Sequence, residues 1–122
     1  MEEKLECLEC DQIDSVRVVK FKDKKVMDPS RIETMGKELI KLCSDEDEKN
    51  VLINFENVSF FSSAAINKLI VLEKQVRARG GKLCLSNLRP EVRDLFSYTS
   101  LDQLFKICDE QKEAIASLNS EE

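Results

Sequence analysis

The sequence predicts an α/β domain in which a sheet with parallel strand pairs carries helices. The first observation is alternation: short apolar runs suited to strands are interleaved with segments whose apolar residues recur at helical spacing, in the order β-β-α-β-α-β-α-β-α. The second is the run Val51, Leu52, Ile53 and Phe55, nearly continuous in apolar character, as in a parallel strand covered on both faces. The third is size. The 122 residues, 42% hydrophobic and 35% charged, bound the chain to one domain with enough material for a real core.

Leu5, Cys7 and Cys10 mark a short edge strand over residues 5–10, and residues 11–14 read as a turn. VRVVKF, residues 16–21, is a second strand with partial alternation. A turn at residues 23–25 follows, and Val26 and Met27 resume extended chain. Asp28, Pro29 and Ser30 announce a helix. Proline suits its first turn, and Ser30 with Glu33 has capping-box spacing. Ile32, Met35, Leu39, Ile40 and Cys43 mark its apolar face. SDEDEK, residues 44–49, is a charged loop.

Residues 50–67, NVLINFENVSFFSSAAIN, organise the chain. The central strand is broken by Glu56 and Asn57; Val58, Phe60 and Phe61 then return to apolar ground. Adjacent phenylalanines leave at least one to be buried, and an exposed one would be a partner contact. From Ala64 the period becomes helical through Ile66, Leu69, Ile70 and Val76, with Asn67, Lys68, Lys74 and Arg77 on other faces. Gly80 and Gly81 stop that helix. KLCLS, residues 82–86, is the next strand. A turn at Leu88, Arg89 and Pro90 opens a short helix through Glu91, Val92, Leu95 and Phe96, and residues 98–100 form a loop. Leu101, Leu104, Phe105 and Ile107 lead into a last short strand. A final helix from Glu110 carries Ala114, Ile115 and Leu118, with residues 119–122 expected to fray.

The net charge of −5 gives no electrostatic support for nucleic-acid binding. No stretch approaches the roughly 20 apolar residues of a membrane span, and MEEKLECLECD at the start lacks a signal peptide's basic and apolar regions. A cytoplasmic protein is expected. Five cysteines, Cys7, Cys10, Cys43, Cys84 and Cys108, are an odd number lying partly within apolar patterns, which fits reduced thiols better than a disulfide framework. Cys7 and Cys10 form a CxxC, but a metal site would need a second ligand pair, and a thioredoxin-like site would start a helix. Histidine is absent, and glycine occurs only at 36, 80 and 81, too few for a Gly-rich phosphate loop. No cofactor and no metal are expected, and thiol chemistry at Cys7 and Cys10 is the minor reading.

What remains is the serine pair. Ser62 or Ser63 occupies the N-cap, accepting a hydrogen bond from a free backbone N–H. The same helix end carries free N–H groups and roughly half a positive charge, and so accommodates a phosphate. A phosphoserine there would add roughly −1.5 to −2 charges to one exposed turn.

Most of the chain, residues 16–118, resembles a STAS domain of the anti-sigma factor antagonist type. The match rests on VLINFENVSFFSSAAINKLIVLEKQVRARGGKLCLSNL, similar to the family's strand, serine turn, helix and "G-G-x-L-x-L" strand, and on RPEVRDLFSYTSLDQLFKI, similar to its short helix, loop and last strand. The resemblance implies a mixed sheet of about four or five strands with helices mainly on one face. It implies a non-catalytic regulator that binds an anti-sigma factor which is also a serine kinase. Phosphorylation of the turn serine ends that capture, and a serine phosphatase restores it. The family's D-S-S-G falls on Ser62, Ser63, Ala64 and Ala65, which makes Ser63 the phosphoacceptor and Ser62 the second candidate. The aspartate, second serine and glycine are replaced, and Ala65 is expected to crowd a partner by a methyl group. Ser59, Phe61, Ser62, Ser63, Ala64, Ala65, Asn67 and Lys68 are the expected partner-binding residues. The alternative reading is a STAS-like binding scaffold without phosphorylation, in another bacterial signalling complex or as a homodimer.

Overall fold

The computed structural model describes residues 5–44 and 49–119. Its strands are β1 (Leu8–Ile13), β2 (Val16–Phe21), β3 (Lys25–Val26), β4 (Asn50–Asn54), β5 (Phe60–Phe61), β6 (Lys82–Ser86) and β7 (Lys106–Cys108). Its helices are α1 (Pro29–Leu42), α2 (Ser63–Ala78), α3 (Pro90–Tyr98) and α4 (Gln111–Asn119), with a single 3-10 turn at Leu101–Gln103. The expected order is present, with β3 and β5 added to it. Of the expected charged loop at 44–49 and fraying end at 119–122, residues 45–48 and 120–122 lie outside the described residues, and Asn119 is the last residue of α4.

The main sheet runs β1-β2-β4-β6-β7. β1 is antiparallel to β2, and the remaining pairs are parallel. Side-chain alternation divides the core in two. Val19, Phe21, Val51, Ile53, Leu83 and Leu85 face one way, under α1, α2 and α3. Val16, Val18, Leu52 and Cys84 face the other, where α4 covers them with Ala114 and Leu118. Both faces of β4 are therefore buried, which is why its sequence is a continuous apolar run rather than an alternating one. Three helices lie on one face and one on the other.

Two local expectations are corrected. The first strand lies at Leu8–Ile13, not at 5–10, and the turn shrinks to Asp14 and Ser15, because Ile13 pairs with Val16. Asp14 takes up the left-handed conformation (φ 55°) that such a tight connection needs. Polar Glu9, Cys10, Asp11 and Gln12 stay exposed, as suits an edge strand. The cap of α1 is Asp28, not the Ser30–Glu33 box. Pro29 takes the first helical position, and the Asp28 carboxylate accepts from the Arg31 backbone N–H at 3.0 Å.

The end of α2 follows the sequence reading closely. Gly80 (φ 82°) donates to the Arg77 carbonyl and Gly81 to that of Val76, the double closure of a Schellman motif. A Cβ on Gly81 would stand 2.2 Å from the Lys49 carbonyl oxygen, so a second glycine is required where the chain passes the start of β4.

Candidate functional site: the serine rim

The serine turn is held by a small parallel ribbon. β3 and β5 pair Lys25 with Phe60 and Val26 with Phe61. Each strand runs almost directly into a helix: β3 into α1 through its cap Asp28, and β5 into α2 through its cap Ser62. The Ser62 N–H donates to the Val26 carbonyl at 3.0 Å, and the Ser59 N–H donates to that of Lys24 at 2.8 Å. Two helix N-termini, each with a partial positive charge, are thus placed side by side on one rim. Phe61 anchors the ribbon. Its ring is buried, with centroids 5.3 Å from Phe21 and 5.1 Å from Phe55.

The serines divide the work. Ser62 is half-buried and its Oγ accepts from the Ala65 N–H at 3.3 Å, so it is the helix cap. Ser63, the first helical residue, is exposed, and its hydroxyl has no hydrogen-bond partner among the described residues. A hydroxyl free of structural duty beside unsatisfied N–H groups is open to chemistry and to a phosphate.

The other expected contact residues separate by orientation. Ala64 and Asn67 are exposed. Ser59 is half-buried and its hydroxyl donates to the Lys24 carbonyl at 3.4 Å. Lys68 reaches across to α1, where its ammonium meets Glu33 at 3.1 Å. Its stem lies over Gly36, where a Cβ would come within 2.7 Å of Lys68 Cδ. Phe61 and Ala65 are corrected: both side chains are interior, so neither offers a surface contact. The Ala65 methyl points into the core and does not crowd the rim as expected. Two apolar residues outside the expected set lie exposed beside the turn. Phe60 is 47% exposed and Met27 is 55% exposed, giving the rim an apolar flank. Successive residues of an extended chain point to opposite sides, so the Phe60-Phe61 doublet announced one outward ring; which one depended on the pairing with β3.

The CxxC does not bring its thiols into one environment. Cys7 is buried and its thiol donates to the Arg31 carbonyl at 3.5 Å, with burial raising its pKa against the partly opposing charge of Arg31. Cys10 is exposed and accepts from Arg17 at 3.3 Å. Among the described residues, no helix is long and apolar enough to cross a membrane.

The STAS domain model matches residues 8–114, and the chain belongs to that family. It is 26% identical over 76 residues to BtrV of Bordetella bronchiseptica, a proposed anti-sigma factor antagonist, across 62% of this chain and 66% of that protein, just under two thirds of its length. The structure of the anti-sigma factor antagonist SpoIIAA in its unphosphorylated form superimposes with a TM-score of 0.76 at 18% identity, covering 94% of this chain and 98% of that one. An anti-sigma-factor antagonist (STAS) domain protein from Planctomyces limnophilus gives 0.81 at 19% identity, covering 91% and 96%. The fold is therefore that of the anti-sigma factor antagonists.

Proposed function

We propose that this protein is a partner-switching regulator: it binds an anti-sigma factor that is also a serine kinase, and phosphorylation of Ser63 controls the binding. The observation that carries the reading is the division of labour in the serine pair. Ser62 holds the cap, which leaves the exposed Ser63 hydroxyl without a partner among the described residues at the start of α2. Phosphate at that point is favoured by the helix end, by about 0.3–1 kcal/mol for an exposed charge. It would alter the rim's charge without unseating α2. The contact surface in this reading is Ser63, Ala64, Asn67 and Lys68 with Met27 and Phe60 beside them. The protein itself performs no chemistry; the kinase adds the phosphate and a serine phosphatase removes it.

Intact mass with site mapping on protein isolated from its own host tests this directly. One phosphate on Ser63, together with loss of partner binding in Ser63→Asp and Ser63→Glu but not in Ser63→Ala, is the expected result. Equal binding by all three variants would sink the switch.

A second reading is favoured by the replacements at Ser62, Ala64 and Ala65: a scaffold that binds its partner, or a second copy of itself, without phosphorylation. It requires an unmodified chain under both growth and stress, with a partner that still copurifies.

A further inference from the structure

Away from the serine rim, two thiols from different strands meet on the α4 side of the sheet. Cys84 Sγ and Cys108 Sγ are 3.7 Å apart. β6 and β7 are parallel and pair Ser86 with Cys108, so Cys84 and Cys108 are diagonal neighbours on one face. Cys84 is fully buried, among Val18, Leu52 and Ala114. Cys108 lies at the margin of the same cluster and is partly exposed. We propose that Cys84 and Cys108 form a site of reversible oxidation, closing to an internal disulfide when the protein meets a hydroperoxide.

Their unequal exposure sets the order of events. The accessible Cys108 reacts first, as its thiolate. Its sulfur attacks one peroxide oxygen and the O–O bond breaks. Cys108 becomes a sulfenic acid, and the other oxygen leaves and takes up a proton as water or an alcohol. The Cys84 sulfur then attacks the Cys108 sulfur. The S–S bond forms, the S–O bond breaks, and hydroxide leaves as water with the proton that Cys84 gives up. Two thiols lose two electrons and two hydrogens, and the peroxide is reduced by two electrons. A dithiol reductant reverses the change.

Closure draws the sulfurs from 3.7 Å to the roughly 2.05 Å of a disulfide. Parallel strands lie about 4.8 Å apart and rise about 3.3 Å per residue, so Cα atoms one strand across and two residues along are about 8 Å apart, beyond the span a disulfide ordinarily bridges, and one strand must yield. The strand that yields is β7. It has three residues, sits at the sheet edge and, among the described strands, pairs only with β6. It also leads straight into α4, whose first residue, Gln111, accepts from the Asn54 side chain at 2.8 Å. Oxidation therefore pulls on the seat of α4.

The test uses the full chain carrying Cys10→Ser, which removes the exposed thiol that would otherwise link two molecules. The protein is exposed to a small excess of hydrogen peroxide, then analysed by intact mass and by non-reducing peptide mapping. The expected result is loss of two hydrogens, a Cys84–Cys108 cross-linked peptide, and full return of the starting mass with dithiothreitol. Adding Cys108→Ser, at a partly exposed position, should abolish the two-hydrogen loss. Oxygen added to Cys108 while Cys84 stays reduced would overturn the proposal. So would an unchanged mass, or a two-hydrogen loss that persists in the Cys108→Ser protein.

Discussion

The backbone N–H of Ser62 donates to the carbonyl of Val26 at 3.0 Å, tying the first residue before α2 to the strand that feeds α1. This bond places the two helix starts on one rim. Ser62 also turns its side chain inward to the Ala65 N–H, so one residue both joins the ribbon and caps the helix.

Ser62→Ala keeps the ribbon bond and loses the cap. Stability should fall by about 1 kcal/mol, the usual cost of removing a serine cap. Ser62→Asp should keep full stability, since a carboxylate caps equally well and suits the helix end. Ser63→Ala should be nearly neutral, because its hydroxyl bonds to nothing in the described structure. Urea unfolding of the three variants checks the ranking; a larger loss for Ser63→Ala than for Ser62→Ala would reverse the assignment of cap and acceptor.

The adjacent phenylalanines should behave in opposite ways. Phe61→Ala removes a ring packed against both Phe21 and Phe55 and should cost about 3–5 kcal/mol. Phe60→Ala should change stability by less than about 0.5 kcal/mol, as at an ordinary exposed site, and should weaken partner capture. Denaturation midpoints, with a pull-down on the Phe60 variant, separate the two roles.

The glycine pair behind α2 offers a graded comparison. Gly80→Ala places a Cβ in open space at a left-handed φ of 82°, at a cost of about 1–2 kcal/mol. Gly81→Ala drives a Cβ into the Lys49 carbonyl at 2.2 Å and forces backbone to move. The second variant should melt well below the first in calorimetry.

Alkaline pH should weaken the fold through its buried thiols. Burial pushes Cys43 and Cys84 up to about 12 from the usual value of 9.0, with Cys108 adding to the effect at Cys84. In the unfolded chain these thiols ionise first, so above about pH 9 the unfolded state binds fewer protons and stability falls with rising pH. The contribution is intact below that point and is lost progressively toward pH 12. Melting temperatures across this window should decline, and Cys43→Ala should decline less steeply.

The elements of the main sheet were legible because each writes its burial into local pattern. β4 and β6 are apolar runs between turn residues, and α1 and α2 carry their apolar stripes at helical spacing. The misreadings had non-local causes. β1 extends through polar Asp11 and Gln12 because β2 offers it a partner, which its own composition does not announce. β3 and β5 are two residues each and exist only because they pair across 33 residues of intervening chain. Around the serine turn, the helix start at the serine pair was legible from the change of period, whereas the inward turn of Ala65 was not.

By itself the sequence determined the α/β class, the order of the principal elements, the two glycines that end α2, and a serine at the start of that helix. These follow from propensity, period and turn chemistry, which act over a few residues. Tertiary structure alone decided which serine is the cap, which phenylalanine faces out, and that Cys84 and Cys108 come within 3.7 Å. Each of those depends on the register between strands distant in the chain. A shift of one residue in that register would send every side chain of the strand to the opposite face.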